Sequence, residues 1–255
     1  MKFDLLEKGR FQFLAYKPWL TRSLEHGFIG RNSDFSESNL RSILPEFCES
    51  FQVQALCLPD QVHGRNVLDF TKRSLVREFL SARSAANSNE RLFPADAILI
   101  SRSEIKREFP LAFGIRTADC VPIALVADDV LALVHAGWRG LANGLLERVV
   151  TMLYDAGGVG KVEALIGPCA GFESYEVGSE VIDAIGDDAV CKERGSQKYL
   201  LGLAETAHRI LDNFLGPRLI VERASLCTIE SPLFHSFRRD NERAGRNLMF
   251  VVLRD

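Results

Sequence analysis

Short apolar runs separated by turn-forming residues indicate a β-rich core. The runs predicted as strands are Ala97 to Ile100, Leu111 to Ile115, Val121 to Ala127, Val130 to Val134, Val162 to Ile166 and Met249 to Leu253. Several of them are apolar at almost every position, which is typical of strands that are covered on both faces. Buried sheets, rather than one solvent-facing sheet, are therefore expected.

Two longer stretches between these runs have the periodicity of amphipathic helices. In "LANGLLERVVTMLYDAGG" the apolar residues recur four positions apart from Leu141 to Leu153, and a glycine pair follows. The stretch "LAETAHRILDNFLG" repeats the pattern from Leu203 to Leu215. Because strands and helices do not alternate strictly, we predict an α+β fold, with mixed β-sheets flanked by helices in a single domain over residues 1–255.

The runs 121–127 and 130–134 enclose Asp128-Asp129, which predicts an antiparallel hairpin with a two-residue turn. This register places His135 opposite Pro122, and Cys120 lies two positions further along on the same face. Such a diagonal pair is separated by roughly 7 Å between Cα atoms, which is within reach of one metal ion. A packed cysteine with a histidine at a strand end remains the alternative.

The residues around this pair are typical of a site rather than of a packed layer. Asp119 precedes the cysteine, and "HAGWRG" adds Trp138, Arg139 and two glycines that allow close backbone approach. We expect a helix to begin near Leu141, so that its free N–H groups and Arg139 favour an anion such as phosphate.

A catalytic zinc site usually has three protein ligands and an open position. The chain has five histidines, at positions 26, 63, 135, 208 and 235. His208 falls inside the second predicted helix, whereas His63 precedes a glycine after a β-like run. His63 is therefore the predicted third ligand.

The net charge and the lengths of the apolar runs limit the kinds of molecule that the chain is expected to bind. A net charge of -3 provides no general attraction for nucleic acid, and no apolar run is long enough to span a membrane. The first twenty residues mix charges into every apolar stretch, unlike a signal peptide. We therefore expect a cytoplasmic protein that binds neither nucleic acid nor membrane.

Six sequence blocks occur in an order that resembles the YfiH/laccase-domain family, long called polyphenol oxidase. The blocks are "QVHG" (61–64), "AD" (95–96), "TADCVPI" (117–123), "HAGWRG" (135–140), "IGPCAGFESYEVG" (166–178) and "HSFRRDNERAGR" (235–246). The resemblance implies an α+β fold similar to the catalytic domain of a bacterial cytotoxic necrotising factor, where a cysteine and a histidine do the chemistry. It also implies a zinc ion held by His63, Cys120 and His135.

The resemblance implies phosphorolysis of adenosine, inosine and methylthioadenosine to free base and sugar 1-phosphate, with adenosine deamination as a further reaction. For deamination, zinc would activate water and a nearby acid would move the proton. Asp119 and Glu173 are the candidates for that acid. Phosphorolysis needs guanidinium groups that bind the phosphate dianion. The candidates are Arg139, Arg238, Arg239, Arg246 and Arg31.

Tyr175 and Trp138 are candidates for stacking on the base or sugar, although core packing is the alternative for both. The expected partners are small molecules, a nucleoside and phosphate, and the expected assembly is a monomer or a homodimer.

Three other functions remain open. Cys120 would act as a nucleophile with His135 as its base in a metal-free cysteine hydrolase or amidase, and some family members are linked to peptidoglycan precursors. Copper replacing zinc would allow phenol oxidation, although five histidines cannot supply a multicopper centre. A purely structural zinc would need a fourth ligand, for which Cys169 is the candidate.

Overall fold

Regular structure covers most of the chain in the computed structural model, which describes residues 2–22, 24–85, 93–106 and 110–253. The strands are β1 (Phe3–Lys8), β2 (Phe11–Tyr16), β3 (Glu25–Ile29), β4 (Ala55–Cys57), β5 (Val67–Phe70), β6 (Ala97–Ser101), β7 (Leu111–Thr117), β8 (Val121–Ala127), β9 (Val130–Ala136), β10 (Val162–Ile166), β11 (Glu176–Gly178), β12 (Cys191–Gly195), β13 (Lys198–Leu201), β14 (Leu219–Arg223) and β15 (Asn247–Leu253).

The α-helices are α1 (Lys17–Leu20), α2 (Leu40–Phe51), α3 (Arg73–Ala85), α4 (Arg102–Lys106), α5 (Trp138–Ala142), α6 (Leu145–Asp155), α7 (Ser179–Ile185), α8 (Leu203–Leu215) and α9 (Phe237–Asp240). Short 3₁₀ turns lie at Gly186–Asp188, Gly216–Arg218 and Asn241–Arg243. Within the described residues, no helix is both long and apolar enough to cross a bilayer.

Two six-stranded sheets form the centre of the fold. The first has the order β1-β2-β3-β15-β7-β4 and the second has the order β14-β10-β8-β9-β6-β5. Both are mixed, since β4 pairs with β7 and β5 pairs with β6 in parallel while the hairpins are antiparallel. A third sheet, β11-β13-β12, is smaller.

Alternate side chains of the central strands point into different apolar layers. In β15, Phe250 packs in a cluster with Phe47 and Phe51 of α2, whereas Val251 packs between the two large sheets. In β8, Leu125 likewise faces the cluster that contains α6 and α8. The layers are therefore helix, sheet, sheet and helix, which explains why these strands are apolar at nearly every position.

The predicted α+β class is confirmed, and the six predicted strands are observed with small differences at their ends. The register of the central hairpin is also confirmed, because Pro122 pairs with His135 and Ala127 pairs with Val130. Asp128 adopts a positive φ of 52°, as tight hairpin turns require. The predicted helix in residues 203–215 corresponds to α8.

The first predicted helix is wrong in one respect, because it is two helices. α5 ends at Ala142, and α6 begins at Leu145 after Gly144 adopts a left-handed φ of 75°. The Asn143-Gly144 pair thus breaks the helix, as such pairs commonly do. Leu141, Leu145 and Leu153 remain buried on one side because both helices pack on the same sheet.

His26 of β3 is a buried histidine with both ring nitrogens occupied. The amide of Tyr16 donates to Nε2 over 3.0 Å, and Nδ1 donates to the carbonyl of Leu24 over 2.8 Å. The side chain is 1% exposed, and burial lowers its pKa from 6.5 to about 4. The folded protein therefore holds this ring neutral.

This depressed pKa predicts a loss of stability in mild acid. Between pH 6.5 and about 4 the unfolded chain binds a proton at His26 that the folded chain excludes. From pH 7 to pH 5 the free energy of unfolding should fall by about 2 kcal/mol through this group. Urea titrations of wild type and His26→Gln should show a shallower pH dependence for the variant, and equal slopes would contradict the assignment.

Candidate metal and substrate site

Three soft ligands converge at the open end of the central hairpin. The donor atoms of His63, Cys120 and His135 all lie within 4.8 Å of one another, and the imidazole rings of the two histidines are 4.9 Å apart between centroids. His135 is buried, Cys120 is partly buried and His63 is exposed. This gradient leaves the cluster open to solvent on the His63 side.

The hairpin brings Cys120 and His135 together, and Gly137 lets His63 reach them. A Cβ at Gly137 would lie 3.0 Å from the Cys120 sulfur and 3.3 Å from the His63 ring. A side chain at this position would therefore push the Cys120 sulfur or the His63 ring away by a few tenths of an ångström. The motif "HAGWRG" therefore includes a steric requirement of the cluster.

Asp96, immediately before β6, organises two of the three ligands. This side chain is fully buried, and its Oδ1 lies 2.9 Å from His135 Nδ1. The same carboxylate accepts the backbone N–H groups of His63, at 2.9 Å, and Gly64, at 2.6 Å. His63 has a left-handed φ of 57°, which these bonds hold. An ionised carboxylate only accepts, so His135 donates from Nδ1 and presents Nε2 to the cluster.

Sequence reasoning did not assign Asp96 to the site. The block "AD" before a strand contained the signal, because an aspartate at the edge of an otherwise apolar run needs polar partners. Its partners are distant in sequence, so the residues alone did not identify them.

The charges in the cluster favour a thiolate. Burial opposes ionisation of Cys120, but the charges and hydrogen bonds of His135 and His63 outweigh burial and lower its pKa. Burial likewise opposes protonation of His135, whose pKa is nevertheless raised by Cys120 and Asp96. A thiolate is the form of cysteine that binds metals and attacks electrophiles.

A cavity of about 770 Å³ opens above the three ligands. Its wall includes four arginines, which are Arg116, Arg139, Arg238 and Arg246. Three aromatic side chains also line it, which are Trp138, Tyr175 and Phe237. The cavity therefore combines metal donors, cations and flat apolar surfaces within the size range of small-molecule sites.

Aromatic rings support two of the predicted arginines. The Arg139 guanidinium lies 4.3 Å from the Trp138 ring centre, and that of Arg238 lies 4.5 Å from the Tyr175 ring centre. Arg238 also donates to the carbonyl of Glu176 over 2.8 Å. These contacts hold the two cations at the cavity wall while leaving other N–H groups for a ligand.

The predictions for Arg239 and Arg31 need correction. The Arg239 guanidinium donates to the carbonyls of Thr228 and Phe234 and to both carboxylate oxygens of Asp240, so its donors are used within the protein. Arg31 is exposed, lies 3.4 Å from Asp240 and is not part of the cavity wall. Arg238 and Arg239 are adjacent but have different roles, because the short helix α9 directs their side chains in different directions.

The structure places the two candidate acids, Asp119 and Glu173, differently relative to the cavity. Asp119 lines the cavity, but its Oδ1 accepts the Thr228 hydroxyl at 2.6 Å and its Oδ2 accepts the Arg238 amide at 2.7 Å. Glu173 is exposed and does not line the cavity. Asp119 therefore links the loop that carries Cys120 to helix α9, which carries Arg238.

The structure also changes the expectations for Cys169 and for the helix near Leu141. Cys169 pairs in a β-bridge with Cys227 and does not belong to the group of metal donors found among the described residues. The helix expected near Leu141 begins at Trp138, has five residues and contains Arg139. Arg139 therefore contributes its positive charge as part of the cavity wall. It does not act beside the N-terminus of a long helix.

The donor set fits one metal ion rather than a copper cluster. A thiolate and two imidazoles with an open side suit a single zinc-type ion. His26 and His235 are buried elsewhere, and His208 Nδ1 lies 2.6 Å from Arg223. Two histidines remain for metal binding, too few for the several imidazole ligands of a multicopper centre.

Comparison with known proteins identifies the family of the chain. The family described as multi-copper polyphenol oxidoreductase laccase matches residues 29–254, and the chain belongs to this family. A purine nucleoside phosphorylase of Xylella fastidiosa (strain Temecula1) is 34% identical over 215 residues, covering 76% of this chain and 73% of that protein. One from Aquifex aeolicus is 34% identical over 140 residues, covering 55% of this chain and 65% of that protein, just under two thirds of its length.

A solved structure shows the same fold. The Bacillus licheniformis hypothetical protein YfiH superimposes with a TM-score of 0.78 over 98% of both chains, at 22% sequence identity. The family match over residues 29–254 confirms the resemblance to the YfiH/laccase-domain family, and this structure shows that the fold is shared.

The position of Asp96 predicts a specific defect in metal binding. Asp96→Asn should weaken zinc binding about 10- to 100-fold, because the side chain loses its negative charge and one of its two acceptor oxygens becomes an N–H donor, so it can no longer accept from both His135 and the His63–Gly64 backbone. Competition with a chromogenic chelator measures this affinity. Asp69→Asn is the matched control, since among the described residues its carboxylate bonds to Thr71 alone. Equal zinc affinity in Asp96→Asn and wild type, with the fold intact by circular dichroism, would exclude this role.

Proposed function

We propose that the chain is a zinc-dependent purine nucleoside phosphorylase that converts adenosine, inosine and S-methyl-5′-thioadenosine to free base and the ribose 1-phosphate derivative. One observation carries the proposal, the placement of a His–Cys–His donor set in the same cavity as four arginines. The relatives of Aquifex aeolicus and Xylella fastidiosa, which are named purine nucleoside phosphorylases, support the same class of reaction.

In phosphorolysis, a phosphate oxygen bonds to the anomeric carbon as the bond to the purine nitrogen breaks. The purine leaves with the electron pair and takes up a proton. Arg238 and Arg139, each held against an aromatic ring, bind the phosphate dianion and align it with that carbon. Arg116 and Arg246 add positive charge to the same wall, which favours the anion over water.

His63, Cys120 and His135 would hold the zinc ion, with Asp96 fixing two of them. When bound, zinc supplies Lewis-acid polarisation of a substrate group or of water. Tyr175 is buried beneath Arg238 in the cavity wall, where it holds that guanidinium and adds apolar surface beside the sugar or base.

Adenosine deamination is proposed as a second reaction of this cavity. It replaces the exocyclic amine with a water oxygen and releases ammonia, so a group must carry a proton from the water to the leaving amine. Asp119 is the candidate within the cavity, and it must exchange one of its two protein hydrogen bonds to do so. Phosphate is not consumed, which separates this reaction from phosphorolysis.

A second candidate function uses the same residues without metal. The lowered pKa of Cys120 beside the raised pKa of His135 favours a thiolate–imidazolium pair, as cysteine hydrolases and amidases require. Peptidoglycan precursors are the proposed substrates for that activity. Phenol oxidation would require copper in the three-ligand site, since the histidines supply no second centre.

Product analysis tests the phosphorylase proposal. Zinc-loaded wild type should release adenine from adenosine only when phosphate is present. Cys120→Ala should lose bound zinc and at least about 100-fold of this activity, because it removes a metal ligand. Cys48→Ala is the control, since Cys48 is a partly buried cysteine on α2, away from the cavity.

Three outcomes distinguish the alternatives. Full activity after removal of zinc would overturn the metal-dependent mechanism and favour a metal-free role for Cys120 in the same reaction. Inosine formed without phosphate would indicate deamination. Adenosine left unchanged by zinc-loaded protein would reject both nucleoside reactions.

The contacts of Arg238 predict a defect in phosphate use. Arg238→Met should raise the KM for phosphate about tenfold or more, because a charge-assisted contact to the dianion is lost. Arg218→Met is a matched control, since Arg218 also lies 4.5 Å from a tyrosine ring centre but is remote from the cavity. Steady-state kinetics with varied phosphate measures the effect, and an unchanged phosphate KM would remove Arg238 from the anion site.

A further inference from the structure

A second cavity, of about 500 Å³, adjoins the metal cavity. Trp138 and Arg238 line both, so the two spaces meet at these side chains. The other walls come from β11, the first turn of α7 and the turn of the β12–β13 hairpin. The metal cavity already has the volume of a small-molecule site, so the second cavity provides room for an extension of the substrate.

Both signs of charge line this second cavity. Glu176 and Glu180 supply carboxylates, and Lys198 and Arg238 supply cations. Lys198 lies 2.6 Å from Glu176, but its side chain is 64% exposed, so a ligand can replace this ion pair at little cost. Within the described part of the chain, the exposed Glu180 carboxylate has no hydrogen-bond or ion-pair partner.

This arrangement selects among ligand chemistries. A second phosphate would be repelled by the two glutamates. A polyamine would be repelled by Lys198 and Arg238. A group that carries an ammonium and a carboxylate together satisfies both sets, because each charge meets its opposite. The α-amino-acid end of a small molecule has this pair of charges.

We propose that the second cavity binds the amino-acid end of a purine nucleoside extended at its 5′ carbon, an inference that rests on the proposed phosphorylase function. The reaction takes place at the anomeric carbon and the base, which need the metal donors and arginines. The 5′ carbon takes no part in it and is therefore the end that can carry an extension past Trp138 and Arg238. Glu180 pairs with the ammonium, and Lys198 pairs with the carboxylate.

Calorimetric binding and phosphorolysis assays with S-adenosylhomocysteine and adenosine test this proposal. The zinc-loaded wild type should bind S-adenosylhomocysteine about tenfold more tightly than adenosine. Glu180→Gln combined with Lys198→Met should abolish this advantage while changing adenosine affinity less than about twofold. The matched control is Lys192→Met with Glu193→Gln, exposed positions on the same hairpin that do not line the cavity.

The outcomes separate this inference from the function on which it rests. Equal affinity for the two nucleosides, or an advantage that survives in the double variant, would overturn the second-cavity assignment even if adenosine is cleaved. Failure to cleave either nucleoside would reject the phosphorylase proposal, and the binding data would still decide whether the second cavity recognises the amino-acid end.

Discussion

The buried carboxylate of Asp96 is the interaction on which the site depends. It fixes the tautomer of His135 from one side and the left-handed backbone of His63 from the other, so two ligands from distant segments share one acceptor. A buried carboxylate without these donors would be costly, and burial is offset here by hydrogen bonds that keep its pKa low. The metal donor set is thus organised by the protein itself.

The architecture explains why such a carboxylate can be accommodated. Both large sheets are covered by apolar layers, and polar chemistry is confined to the ends of the strands where loops meet. Cys120 and Asp119 precede β8, His135 is near the end of β9, and Asp96 precedes β6. Neighbouring strands of one sheet therefore bring the cysteine, the histidine and the aspartate to the same edge.

The cavity wall depends on a second polar residue, Asp119. By accepting the Thr228 hydroxyl and the Arg238 amide, it links the loop before β8 to α9. Displacement of one loop would therefore move both a metal donor and an arginine. Arg239, the next residue in the chain, stabilises the turn from Thr228 to Phe234 instead. Of these two adjacent arginines, Arg238 therefore faces the ligand and Arg239 has a structural role.

The sequence by itself determined six of the fifteen strands that the structure describes, through their apolar runs. It also determined the register of the central hairpin, through the two-residue turn, and hence the approach of Cys120 to His135. It also indicated His63, although spacing could not place that residue near the hairpin. Only the tertiary structure decided the roles of Asp96 and Arg239 and the position of the second cavity. The partners of Asp96 and the walls of the second cavity come from segments far apart in the chain, and such long-range contacts leave no periodic trace in a single sequence. The partners of Arg239 are near in sequence, but the fold of the turn from Thr228 to Phe234 decides which of them its guanidinium reaches.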